Sequence, residues 1–334
     1  MRCQFTGAYS ISCGNGGKHE TPQAKAEEAH VTPRPRKASD RSGNQRATFE
    51  DKKINEGMYM PELPEVETIR KTLQELVNNK TIAAVSVFWP KIIKHPEEHK
   101  QFMDALVGQK IEDVGRRGKF LIIYTDDFAL VSHLRMEGKY GLFQKDEPID
   151  KHTHVIFHFT DGTELRYKDV RKFGTMHLYL KGQEFDTLPL SQLGPEPMSD
   201  EFTIEVLAKR LSKTKRNIKA ALLDQKNVVG LGNIYVDEAL FRSKIHPERQ
   251  ADSLTEEELT TLHKEIIATL SEAIEKGGST IRSYVNSQGQ IGMFQLELFV
   301  YGRKGEECKV CGSSLERIVS GGRGTVFCPT CQKN

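Results

Sequence analysis

Long apolar runs are missing from this 334-residue chain. No stretch approaches the roughly 18 to 20 apolar residues of a membrane span, and the first twenty residues lack the charged start and apolar stretch of a secretory signal. The expected setting is the cytoplasm, with no membrane partner. Net charge is also scarce, at +2, and residues 1–59 hold ten Lys/Arg against seven Asp/Glu, so the remainder carries −1. Bulk charge alone therefore does not predict a nucleic-acid partner, and the distribution of the basic residues is more informative. Cysteine is sparse too: of six, Cys3 and Cys13 lie in the N-terminal stretch and are expected to do nothing, and four gather between 308 and 331.

What is present is 37% hydrophobic and 28% charged residues, enough for about two globular domains. Residues 1–59, rich in Gly, Ser, Thr, Lys and Glu and containing "TPRPRK", show no sustained hydrophobic period and are expected to be a disordered extension. From Pro61 the pattern changes. Pro64 sits near a helix start, Glu65 and Glu67 fall in the first turn, and Val66, Ile69, Leu73 and Val77 recur at helical spacing. From about 81 to 182 come short apolar or alternating runs, among them "KFLIIYT", "FALVSHL" and "HVIFHFT", the last joined to "ELRYK" by the turn signal Asp161-Gly162. A β-sandwich over 60–187 carrying one helix is predicted.

"LPLSQLGPEPMSDE" (188–201) reads as a linker, broken by three prolines and a glycine. Helical periodicity then returns in "FTIEVLAKRL", "NIKAALLD", "IYVDEALFRS" and "LTEEELTTLHKEIIATLSEAIEKG", the last introduced by a Thr255-x-x-Glu258 capping box. The expected class is α+β: a sandwich with an N-terminal helix, a helical domain over 202–295, and a hairpin tail over 296–334.

Cys308-x-x-Cys311 and Cys328-x-x-Cys331 are separated by sixteen residues, the spacing of a four-thiolate structural zinc site. Four thiolates fill a tetrahedron and leave no position for substrate, so one structural zinc is expected. "DQKNVVGLGNIYVDEALF" (224–241) places a glycine-broken turn between two helical stretches, with Asn233 expected as N-cap of the second. Such a helix start offers unpaired N–H groups to a phosphate, and equally suits a plain helix-packing joint. Basic residues cluster in "GRRGKF" (115–120), "VRKFG" (170–174) and "SKTKRNIK" (212–219).

"MPELPEVETIR" (60–70), "RRGKFL" (116–121), "HLRMEGKYG" (133–141), "DVRKFGTM" (169–176), "VVGLGNIYVDEALF" (228–241), "VYGRKGEECKVCG" (300–312) and "GRGTVFCPTCQ" (322–332) together resemble the bacterial formamidopyrimidine-DNA glycosylase family, in order, over about four-fifths of the chain. The resemblance implies a helix-two-turn-helix in the helical domain and a zinc finger in the tail. It further implies a monomeric base-excision enzyme that removes oxidised purines from double-stranded DNA and nicks the strand. Pro61 would be the amine nucleophile, Glu62 the proton donor, Lys119 the residue of β-elimination, and Arg323 that of δ-elimination. Met136, Arg171 and Phe173 would fill the space left by the extruded base, and His152, Lys215, Lys219, Asn233 and Tyr301 would contact the DNA backbone. The loop "STIRSYVNSQGQIG" (279–292), with Ser279, Ile281, Arg282, Ser283 and Tyr284, would cover the extruded base. Two alternatives remain. One is the endonuclease VIII branch, which prefers oxidised pyrimidines; the other is a non-enzymatic zinc-ribbon DNA-binding protein in which Pro61 stays within the chain. The amine chemistry needs Pro61 at a processed N-terminus, so residues 1–59 are expected to reflect a start-site artefact or a removable leader.

Overall fold

The computed structural model describes residues 60–279 and 293–333. Helix α1 (Leu63–Val77) begins with Pro64 in its first turn, where its missing N–H costs nothing, and the backbone N–H of Glu62 donates to Glu65 Oε2 at 2.9 Å. Leu63, Val66, Ile69, Leu73 and Val77 are all buried, as the periodicity predicts. Truncating Leu73, which is fully buried, to Ala would cost about 2 to 5 kcal/mol.

Nine strands follow: β1 (Ile82–Val87), β2 (Ile93–His95), β3 (Ile111–Arg117), β4 (Phe120–Thr125), β5 (Phe128–His133), β6 (Lys139–Gln144), β7 (Thr153–Phe159), β8 (Thr163–Lys168) and β9 (Thr175–Leu180). A short helix that the periodicity did not reveal, α2 (His99–Leu106), lies between β2 and β3. One sheet runs β1-β7-β8-β6 and the other β2-β9-β5-β4-β3, antiparallel except where β2 lies parallel to β9. The Asp161-Gly162 signal does join β7 to β8, with Gly162 at φ +84°. Apolar residues of both sheets, including Leu121, Leu130, Val155 and Leu165, form one core with the buried face of α1.

A second core is helical: α3 (Ile204–Leu211), α4 (Ile218–Leu223), α5 (Asn233–Arg242) and α6 (Glu256–Glu275). Their starts follow from local chemistry. Thr203 caps α3 by accepting from Val206 N, Asn217 caps α4 by accepting from Ala220 N, and Thr255 and Glu258 form the predicted reciprocal box at α6. The tail is a hairpin of β10 (Glu316–Ser320) and β11 (Arg323–Phe327) beside the four cysteines. Among the described residues no helix is long and apolar enough to cross a membrane.

Candidate active site

Glu62 precedes α1, yet its carboxylate reaches across to the helical half of the protein. Oε2 accepts from Gly232 N at 2.6 Å and Tyr235 N at 3.4 Å, and Oε1 accepts from Ile234 N at 2.9 Å. The N-terminus of α5, expected from sequence as a possible phosphate cradle, is therefore occupied by a carboxylate of the protein itself. The N-cap is Gly232 rather than the expected Asn233, which is the first helical residue and donates through Nδ2 to Gly324 O at 3.1 Å. Glycine at 232 is a matter of space: a Cβ there would stand 2.2 Å from Glu62 Cδ.

Burial pushes the Glu62 carboxyl up to about 7, overcoming the opposing pull of the nearby Lys119 ammonium and the α5 amides. Lys119 lies in the two-residue turn between β3 and β4, not within a strand, and its Nζ donates to Leu231 O at 2.8 Å. Burial, helped by the charge of Arg323, holds the lysine below its ordinary value, against the pull of Glu62. These residues border a cavity of about 140 Å³. Met60 and Glu62, on either side of the buried Pro61, line it together with Lys119, Asn233, Tyr301 and Arg323. A carboxyl and two cations thus converge beside a proline from α1, the β3–β4 turn, α5 and the hairpin. Burial also raises the Tyr301 phenol.

Two ionisable residues of this cavity are not among those the sequence points to. His133 and Arg135 line it from the end of β5, and His133, almost wholly buried, is held well below its ordinary value by burial and neighbouring cations. Both belong to "HLRMEG", the motif that also holds Met136.

Glu65 is buried one turn into α1; Oε1 accepts from Tyr235 Oη at 2.6 Å and from Ser279 N and Oγ at 2.8 and 3.1 Å. Ser279 is the one expected lid residue that is described; Ile281, Arg282, Ser283 and Tyr284 lie outside the described residues.

The three expected space-filling residues come together away from the cavity lining. Arg171 Nη1 donates to Met136 Sδ at 3.0 Å, and its guanidinium lies 4.8 Å from the centre of the Phe173 ring, which is half exposed. His152 is partly exposed on the neighbouring loop, and Lys215 is exposed. Lys219 departs from expectation. It is fully buried, with Nζ 2.6 Å from both Asp237 Oδ1 and Thr325 Oγ1, so it cannot reach a ligand at the surface. The run "SKTKRNIK" crosses the start of α4, which turns Lys219 inward toward α5 and the hairpin.

The four cysteines suit one zinc. A tetrahedron of thiolates at a Zn–S length of about 2.3 Å has S···S edges of about 3.8 Å, and here Cys311 and Cys328 stand 3.5 Å apart, Cys308 and Cys331 4.0 Å apart, and all four sulfurs within 4.8 Å of one another. Val310 N and Cys331 N donate to the sulfurs of Cys308 and Cys328, which orients the thiolates.

Comparison with known proteins gives the same picture. Family models for the formamidopyrimidine-DNA glycosylase N-terminal domain, the H2TH domain of the same enzyme, and the zinc finger found in FPG and IleRS match residues 60–176, 193–285 and 305–334. The formamidopyrimidine-DNA glycosylase of Bacillus licheniformis is 68% identical over 274 residues, covering 82% of this chain and 100% of that protein, and that of Bacillus subtilis is 63% identical over 273 residues, covering 82% and 99%. Solved structures of Lactococcus lactis Fpg with abasic-site DNA and with DNA containing N7-benzyl-Fapy-dG each share 43% identity at a TM-score of 0.77, over 82% of this chain and 100% of theirs. With its three family models in order and its relatives matched along nearly their whole length, this chain belongs to the formamidopyrimidine-DNA glycosylase family.

Proposed function

We propose that this protein removes oxidised purines, 8-oxoguanine and formamidopyrimidines, from double-stranded DNA and then cleaves the strand, as a DNA-formamidopyrimidine glycosylase and abasic-site lyase working in the bacterial cytoplasm on the chromosome. The observation that carries the reading is Glu62. It is a buried carboxyl raised to about 7, held beside Lys119 by the amides of Gly232, Ile234 and Tyr235 at the start of α5, and it borders the cavity next to Pro61.

The free secondary amine of Pro61 attacks the anomeric carbon while the glycosidic bond breaks and the base leaves with its electron pair and a proton. Glu62 protonates the sugar ring oxygen as the ring opens, leaving an iminium between Pro61 and the sugar. A proline iminium has no N–H to lose, so its charge persists and acidifies the adjacent sugar proton. Removal of that proton expels the 3′ phosphate, the step assigned to Lys119, and a second elimination assisted by Arg323 expels the 5′ phosphate. Lys119 suits this work because it stands beside Glu62 in the cavity, and burial makes its ammonium easier to deprotonate than that of an exposed lysine. Met136, Arg171 and Phe173 fill the vacated stack, and His152, Lys215, Asn233 and Tyr301 contact the backbone, with His133 and Arg135 added by their place in the cavity. Ser279, anchored on Glu65, begins the segment that covers the extruded base. The four cysteines would hold a zinc that shapes the hairpin carrying Arg323.

The test is borohydride trapping on a duplex with 8-oxoguanine opposite cytosine, using protein started at Met60 and the complete 334-residue chain. The short form, after loss of its initiator methionine, should trap through Pro61. In the long form the Pro61 nitrogen is an amide, its lone pair delocalised, and no adduct should form. Equal trapping by verified long form, or an adduct mapped by mass spectrometry to Lys119, removes Pro61 as the nucleophile. Preferential trapping on an oxidised pyrimidine moves the substrate to the endonuclease VIII type.

A further inference from the structure

The space-filling residues come from two separate loops, residues 134–138 between β5 and β6 and residues 169–174 between β8 and β9. Side chains from two loops act as one unit only if something fixes both the shape and the spacing of those loops.

Shape is set by Asp169, which is 1% exposed. Its Oδ1 accepts from Arg171 N at 3.0 Å, and its Oδ2 accepts from Phe173 N and Gly174 N at 2.8 Å each. Three amides, two of them belonging to space-filling residues, therefore converge on one buried carboxylate. Between them Lys172 takes φ 59°, a left-handed conformation unfavourable for a residue with a Cβ, and the carboxylate holds the turn against that strain. The Asp169 backbone is fixed as well, its N–H donating to His152 O at 3.0 Å and its carbonyl lying 2.7 Å from His154 Nε2.

Spacing is set two residues earlier on β8 by Tyr167, which is fully buried. Its hydroxyl oxygen stands where a Cβ at Gly138 of the first loop would be 2.2 Å away and a Cβ at Gly174 of the second would be 1.7 Å away. One phenol oxygen is thus lodged between the backbones of both loops, and only glycine fits on either side. The ring is braced edge-on by Tyr140, with centroids 5.0 Å apart, and Tyr140 Oη donates to Ser132 Oγ on β5 at 2.8 Å.

We infer that Asp169 and Tyr167 are positioning residues that preorganise Met136, Arg171 and Phe173, so that opposite-base discrimination depends on two side chains buried beneath the cluster. This rests on the space-filling role proposed above. Preorganisation matters because each side chain left to be ordered during insertion subtracts from the stabilisation the insertion brings.

The experiment compares Arg171→Ala, Asp169→Asn and Tyr167→Phe in zinc-loaded protein started at Met60, a stretch that the Bacillus licheniformis relative spans alone. Single-turnover excision of 8-oxoguanine is measured opposite cytosine and opposite adenine, with nicking of a pre-formed abasic site and thermal melting as controls. Asp169→Asn preserves shape but turns one acceptor into a donor facing an amide. It should shrink the opposite-base ratio by about tenfold and Tyr167→Phe by about threefold, with abasic-site nicking within about twofold of the parent. A purely structural role would lower stability and slow both opposite-base contexts alike, leaving their ratio intact. If Arg171→Ala collapses the ratio and neither positioning variant does, the inference is wrong while the space-filling reading stands. If Arg171→Ala itself leaves the ratio unchanged, that reading falls and the inference with it. Should Asp169→Asn fail to fold, Tyr167→Phe reads the same ratio.

Discussion

Two lysines four residues apart in "SKTKRNIK" should respond to mutation in opposite ways. Lys215 is exposed, whereas the Lys219 side chain is 0% and its partner Asp237 1% exposed, 2.6 Å apart. Lys219 also donates to Thr325 Oγ1, and Asp237 Oδ2 accepts from Val326 N at 3.3 Å, so the pair fastens the Arg323 hairpin to α4 and α5. Replacing Lys219 by Met removes the cation and leaves a carboxylate in the interior. Breaking one side of such a pair costs about 3 to 5 kcal/mol. Replacing Lys215 by Ala should change stability by no more than about 0.5 kcal/mol, but should flatten the dependence of log K on log salt by about 0.9, the share of one lost phosphate contact. Lys219→Met should leave that slope alone.

The pH dependence of the Lys219 variant follows from the partner. Asp237 is already raised from 3.8 to about 7 by burial, against the pull of Lys219. Without Lys219 it rises further. A carboxyl raised in the folded state binds a proton there that the unfolded chain releases, so stability falls with rising pH until the folded value is passed, at about 1.4 kcal/mol per pH unit. In the parent the fall ends near pH 7; in Lys219→Met it continues, and the gap between them should widen as pH rises above neutral. Urea denaturation of zinc-loaded protein at several pH values measures the gap, and fluorescence anisotropy across a salt series measures the slope. A Lys219→Met protein within about 1 kcal/mol of the parent, with a flattened slope, would place Lys219 on the DNA face and refute the burial argument.

Three further outcomes are expected. Metal analysis should find about one zinc per chain, and Cys311→Ala should lose DNA binding while the β-sandwich stays folded by circular dichroism, since structural zinc contributes roughly 10 to 16 kcal/mol to such small elements; active protein without zinc contradicts this. Glu62 donates only when protonated, so single-turnover base excision should fall about tenfold per unit as pH rises above about 7; Glu62→Gln should abolish excision, and its residual abasic-site nicking should lack that limb. Gly232→Ala, whose Cβ would lie 2.2 Å from Glu62 Cδ, should cost at least about a hundredfold in excision while keeping zinc and lesion-duplex affinity, and near-parental rates would show that the carboxylate is free to move.

Features governed by short-range rules could be read from sequence. The buried stripe of α1 is set by 3.6-residue spacing, the β7–β8 turn by Asp161-Gly162, the start of α6 by Thr255 and Glu258, and the thiolate cluster by two Cys-x-x-Cys pairs. What could not be read depends on which element lies opposite. Nothing in "SKTKRNIK" distinguishes a lysine that faces Asp237 from one that faces water, because Asp237 sits on a different helix. The amides of α5 were visible as an anion site, but its occupant, Glu62, is 170 residues from Gly232 in sequence. Helix α2, at 8 residues, is too short for its period to stand out from the strands around it. The convergence of three amides on Asp169 depends on the turn that Lys172 makes at φ 59°, which the residue types of "DVRKFG" do not reveal.

That long-range contact also explains why a carboxyl raised to about 7 sits where the two cores meet. A carboxyl at the start of an isolated α1 would be hydrated and would ionise near its ordinary value of 4.5, leaving almost none protonated at neutral pH. Seating it against Gly232, Ile234 and Tyr235 removes that water, and burial outweighs the amides and Lys119 that favour the anion. The same three N–H groups would otherwise be unpaired donors at the start of α5. One contact therefore completes the helix, joins the first core to the second, and moves a carboxyl into the range where it can give up a proton at pH 7. The acid exists only while the two halves are docked. Lys119 obeys the same condition, since the carbonyl that holds its ammonium belongs to Leu231, on the turn that leads into α5. Any motion that separates the β3–β4 turn and α1 from this turn would rehydrate both groups together and return each toward its ordinary value, so docking of the halves and the shifted acidity of both groups are a single physical event.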